Sequence, residues 1–114
     1  MSDSLGRLDL EILVRGDLDN PKATVRVIGE FDRLQVARFD RAGAALSQQL
    51  VELTVDLRQT TIIDSAALGS LVRLRHALDQ IDCRLRVIVS RPFQITVMKV
   101  SGLDDFLRVV VEDE

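Results

Sequence analysis

The chain has 114 residues, 46% of them hydrophobic and 29% charged, enough for one globular domain to bury a core without disulfide or metal staples. A formal charge of -3, with arginines scattered among acids from Arg7 to Arg108, excludes the basic footprint of a nucleic-acid binder. No apolar run approaches the roughly 18 residues of a bilayer span, and MSDSLGRLDL lacks the basic and apolar regions of a leader, so no membrane insertion and a cytoplasmic location are expected.

Leu8, Leu10, Ile12 and Val14 alternate along LDLEILV, the period of a strand with one face toward a core. Gly16, Asp17, Asp19, Asn20 and Pro21 then turn the chain back into ATVRVIG, which predicts an antiparallel hairpin of Leu8 to Val14 with Ala23 to Ile28. Asp32 is an expected N-cap for a helix from about Arg33 to Gln49, whose apolar stripe is Val36, Phe39, Gly43, Leu46 and Leu50, with Arg38, Arg41 and Gln48 in water. VELTVDL, Val51 to Leu57, reads as a third strand, linked by RQTTII to a second helix beginning near Ala66. In that helix Ala67, Leu71, Leu74, Leu78 and Ile81 recur at spacings of four and three. RLRVIV, Arg84 to Val89, is the fourth strand, Pro92 suits the first turn of a third helix that Gly102 would close, and FLRVVV, Phe106 to Val111, is the last strand. The order β-β-α-β-α-β-α-β implies an α/β fold with a mixed sheet of about five strands, an N-terminal antiparallel hairpin followed by parallel strands, and three helices.

Enzymatic chemistry finds little support. Ser65 beside Asp64 with His76 further on resembles a nucleophile and its base, but eleven residues of helix span about 16 Å, out of hydrogen-bonding reach. His76 is therefore read as a solvated helix residue. One cysteine, Cys83, and one histidine assemble neither a zinc site nor a disulfide, and Cys83 reads as a small packed side chain between a helix and a strand. The glycines form no phosphate-binding loop, the acidic pairs sit where the chain turns or ends, and no cofactor or metal is expected.

Asp64-Ser65 stands at the seam between an apolar run and a helix start, where a capping oxygen contributes about 1 kcal/mol. A cap does not explain two such residues in succession followed by small Ala66 and Ala67, which leave the helix N-terminus open to an incoming surface. A phosphate on Ser65 would carry about -1.5 to -2 charges, stabilised in part by the helix dipole and repelled by an acidic partner.

The run VDLRQTTIIDSAALGSL, with GEFD at Gly29 to Asp32 and VSGLDDFLRVV near the end, resembles the STAS (sulphate transporter and anti-sigma factor antagonist) domain, from about Leu8 to Val111. The resemblance implies a single STAS-like domain over residues 1–114 with its core from about 8 to 111. It implies that Ser65 is phosphorylated by an anti-sigma factor that is itself a serine kinase. The unphosphorylated protein would bind that kinase and free its sigma factor, and the phosphorylated form would let go. The matching partner-binding residues are Glu30, Asp32, Asp64, Ser65, Ala66 and Leu68.

Two departures stand out. Ala67 replaces a glycine common in the family, which would place a methyl near the docking surface, and the chain stops at Glu114, where the family usually adds a helix. Apolar sheet surface is thus expected to be bare, or covered by a partner or a second copy in a homodimer. The same fold also serves as a constitutive scaffold, as in the small STAS subunit of a bacterial lipid ABC transporter or a stressosome-like assembly.

Overall fold

Alternating apolar side chains assemble a five-stranded sheet with one dry face. The computed structural model describes residues 8–16, 18–46 and 49–114. Strands β1 (Leu8–Arg15) and β2 (Lys22–Phe31) form the antiparallel hairpin, in unbroken register from Leu8 opposite Gly29 to Arg15 opposite Lys22. Strands β3 (Glu52–Ile63), β4 (Arg84–Val89) and β5 (Val109–Val111) add in parallel, giving the order β1-β2-β3-β4-β5. Helices α1 (Val36–Leu46), α2 (Ser65–Asp79) and α3 (Pro92–Val100) fill the three parallel crossovers. Because such crossovers are right-handed and the strands step steadily one way, the helices collect on one face of the sheet.

That face holds the core. Val25, Leu53, Val55, Leu57, Val87 and Val89 from the strands join Phe39, Leu71, Leu78 and Met98 from the helices in one apolar cluster. The other face is an open trough lined by Thr24, Arg26, Thr54, Asp56, Arg58 and Arg86. The apolar surface expected there is largely absent, because ion pairs replace it. Asp56 is gripped by Arg58 through Nε at 3.0 Å and Nη2 at 2.8 Å. Burial pushes the Asp56 carboxyl up, but the bonds and charge of Arg58, with the charge of Arg26, outweigh it and hold the group below its ordinary value. The acidic end crosses this face too: Arg58 donates to the Asp113 carbonyl at 2.9 Å, and Gln59 to the Glu114 carboxylate at 2.9 Å.

Five boundaries differ from the sequence reading, the first being the end of β2, which runs to Phe31 and not Ile28, so that Gly29, Glu30 and Phe31 are paired strand. Helix α1 begins at Val36 and not Arg33, because Asp32 caps a turn, its carboxylate accepting from Leu34 N–H at 3.1 Å before the helix starts. The expected end of α1 at Gln49 and the placement of Gln48 and Asp17 touch positions outside the described residues. Strand β3 runs on to Ile63, so RQTTII is paired strand and not a link; shifts of register at Arg26/Ile28 and Gly29/Glu30 absorb its extra residues. Helix α2 ends at Asp79, leaving Ile81 exposed, since Asp82 adopts a left-handed φ of 56° and Cys83 N–H returns to the Leu78 carbonyl at 3.0 Å. Phe106 and Leu107 belong to a turn that carries Leu107 into the core, and β5 is only three residues long. The expected close of α3 matches: Gly102 takes φ +74°, and Leu103 N–H bonds the Met98 carbonyl at 3.0 Å.

Candidate functional site

The parallel pairing of β2 and β3 brings two distant acids together. Phe31 lies opposite Ile63 at the last rung, so Asp32 and Asp64 leave the sheet as neighbours at its carboxyl end. Open α/β sheets place their binding crevices at that end. Just before it, Gly29 adopts φ +106° beside the register shift at Glu30, a conformation that a side chain would resist.

Asp64 fixes the start of α2 to the loop after β2. One carboxylate oxygen accepts from Ala67 N–H at 2.9 Å, as an N-cap, and the other accepts from Arg33 N–H at 2.9 Å. Its own N–H donates to the Phe31 carbonyl at 3.3 Å. The cap is therefore Asp64, and Ser65, the first residue of α2, is left exposed and outside that role.

Asp32, Arg33, Leu34, Asp64, Ser65 and Ala66 line a shallow open depression of about 320 Å³. Four of the six residues singled out in the sequence thus meet at one place: Asp32, Asp64, Ser65 and Ala66. Glu30 stands opposite Ile62 in the sheet and Leu68 packs against the core, so neither lines the depression. Ala67 is fully buried; its methyl faces the core and not the docking surface, contrary to the expectation drawn from the glycine it replaces.

The lining contains neither histidine nor lysine, and His76 lies along α2 beside Phe106, its ring centroid 5.5 Å from that ring. What the arrangement offers is a solvent-facing hydroxyl at the positive end of a helix, flanked by two carboxylates. Among the described residues no cluster of His, Cys, Asp or Glu could hold a metal ion. No helix among them is long and apolar enough to cross a membrane. Cys83 is buried, and burial together with the charge of Glu52 pushes its thiol up.

Sequence reasoning missed Arg33 and Leu34, although the strand order would have supplied them. Any loop leaving β2 beside the end of β3 must share that corner. It also missed Gln94, a fully buried side chain in the first turn of α3. Its carbonyl oxygen accepts from the N–H groups of Ser90 and Arg91, both at 3.0 Å. Its amide donates to the Leu57 carbonyl at 2.7 Å and to the Thr60 carbonyl and hydroxyl, both at 3.1 Å.

The chain belongs to the STAS-domain family: the family model described as "Mlab, STAS domain" matches residues 14–111. Among solved structures it is similar to an anti-sigma factor antagonist from Mycobacterium paratuberculosis, with 24% identity, a TM-score of 0.73, and coverage of 89% of this chain and 85% of that one. It is similar to the anti-sigma factor antagonist SpoIIAA in its unphosphorylated form, with 19% identity, a TM-score of 0.74, and coverage of 95% and 90%. The Bacillus cell fate determinant SpoIIAA in its phosphorylated form is also similar, with 16% identity, a TM-score of 0.68, and coverage of 95% and 93%. At these identities the likeness establishes the shared fold. A search of curated proteins finds no match.

Proposed function

We propose that the chain is a cytoplasmic anti-sigma factor antagonist that binds an anti-sigma factor serine kinase and is released when that kinase phosphorylates Ser65. The observation that carries this reading is that Asp64 alone caps α2, which leaves the Ser65 hydroxyl exposed beside Asp32 and Asp64. In the step itself the hydroxyl oxygen attacks the γ-phosphorus of ATP, ADP leaves, and the hydroxyl proton passes to a base of the kinase.

A phosphoserine here adds about -1.5 to -2 charges to a corner already holding two carboxylates. An acid of the partner about 4 Å away would feel roughly 4 kcal/mol per unit charge at an effective dielectric near 20. Each 1.4 kcal/mol is about tenfold in affinity, so the added charge suffices to release a micromolar complex. Similarity to SpoIIAA, solved in unphosphorylated and phosphorylated forms, supports phosphorylation as the modification. Asp32, Asp64, Ser65 and Ala66 would form the contact surface, with Glu30 and Leu68 supporting it from the strand and helix behind.

The second reading is a constitutive STAS scaffold, such as a lipid ABC transporter subunit. It is favoured by the matching family model, which carries the Mlab name and not that of an antagonist. The pair Ser65→Ala and Ser65→Asp separates the two when titrated against the purified anti-sigma factor kinase. The switch predicts that Ser65→Ala keeps its affinity and Ser65→Asp loses on the order of a hundredfold. Equal binding by both variants would leave the scaffold.

A further inference from the structure

Among the described residues that line the Ser65 depression, Arg33 is the one cation. Its place there is fixed through its backbone. Arg33 and Ser65 each stand two residues past the last rung of the β2–β3 ladder, Phe31 opposite Ile63, where neighbouring strands run about 4.8 Å apart. The Arg33 N–H then donates to the Asp64 carboxylate at 2.9 Å, which ties the arginine to the residue before Ser65.

The neighbouring acids leave its side chain unused. Asp64 accepts from Ala67 N–H with one carboxylate oxygen and from Arg33 N–H with the other. Asp32 accepts from Leu34 N–H at 3.1 Å. Both carboxylates thus serve backbone amides, and the exposed Arg33 guanidinium makes no hydrogen bond or ion pair among the described residues. Arg73 and Arg75, on the helix that Ser65 begins, are already committed to Asp40 and Asp79.

We infer that, given the phosphorylation of Ser65 proposed above, Arg33 is the internal receptor of that phosphate: its guanidinium turns into the depression and pairs with the phosphate oxygens. An arginine fork matches two such oxygens, and the bonds are of the strong, charge-assisted kind. The pair also offsets a phosphate set beside Asp32 and Asp64, whose charges oppose it. A docked partner is then repelled in two ways. Its surface meets the phosphate, and an acid that Arg33 had held loses that cation at the same moment.

The test uses the full chain with phosphoserine installed at position 65 during translation, so that no kinase is needed. Phosphorus NMR followed against pH reads the second ionisation of the phosphate, which for an ordinary phosphoserine lies at about 6. Arg33 favours the dianion, whereas Asp32 and Asp64 disfavour it. Arg33→Gln keeps the backbone N–H that bonds Asp64, and should move the midpoint up by at least about 0.3 pH with unchanged far-UV circular dichroism. Arg84→Gln removes the same charge at the amino end of β4, the end of the sheet away from Ser65, and should leave the midpoint in place. A midpoint that does not rise in Arg33→Gln, or that rises equally in Arg84→Gln, would overturn the pairing. The two failures are separable: a kinase that leaves Ser65 unmodified refutes the proposed function without altering this titration, and a flat titration refutes the pairing without altering the kinase result.

Discussion

Helices α2 and α3 both begin at the carboxyl end of a parallel strand, yet their first turns use polar groups in opposite ways. At α3, Gln94 turns inward and satisfies the N–H groups of Ser90 and Arg91 while closing the carbonyls of Leu57 and Thr60 at the irregular stretch of β3. At α2, Asp64 caps the helix and holds the Arg33 loop, while Ser65 faces water. One start is sealed and structural, the other open and available. Two helices in the same topological position can thus use their first turns differently, one closed into the core and the other presented to solvent.

The largest effect expected from breaking this contrast is at the sealed start. Gln94→Ala would strand several buried donors and acceptors at once, and should lower unfolding free energy in urea by about 3–5 kcal/mol. A loss under about 1 kcal/mol would mean that the network is not what holds α3 to β3. Asp64→Ala should cost about 1–2 kcal/mol, because it removes the α2 cap and the tie to Arg33 together, and hydrogen exchange at the Arg33 and Ala67 amides should accelerate. Unchanged exchange at Arg33 would separate the loop from the helix start.

The irregular stretch that Gln94 seals from one face is held on the other by Asp56 and Arg58, which adds a pH dependence. The Asp56 carboxyl titrates below its ordinary value in the folded state. Its contribution is therefore complete above the unfolded aspartate range and is lost as pH falls through the lower folded value. Urea midpoints followed from neutral pH into that acid range should decline for the wild type and decline less for Arg58→Met. An identical decline would assign the acid sensitivity elsewhere. The smallest effect belongs to the open start: Ser65→Ala should change stability by no more than about 0.5 kcal/mol, since the cap does not use that hydroxyl.

Much of this contrast was legible in the sequence, for identifiable reasons. Strand alternation and helix spacing are local signals, and they located every strand and helix, as well as the Gly102 close of α3. Asp64-Ser65 was legible because two capping-type residues in a row exceed what a helix start needs. What escaped was set by contacts across the sheet. RQTTII pairs with β2 only through shifts of register, which no local period reveals. Gln94 reads as an ordinary polar helix residue until the carbonyls it closes are known, whereas the burial of Ala67 follows the helix spacing that set it in the apolar stripe and not the family glycine that suggested the docking surface. The ends of α2 and β5 were misplaced because Asp82 and Arg108 adopt left-handed conformations that glycine usually announces.

The most direct measurement is site-resolved mass spectrometry of the protein isolated from its native host with phosphatases inhibited, repeated after incubation with the anti-sigma factor kinase and ATP. Phosphate on the Ser65 peptide, absent from Ser65→Ala, is the predicted result. A chain that carries phosphate only at another residue, or at none after kinase treatment, would contradict it.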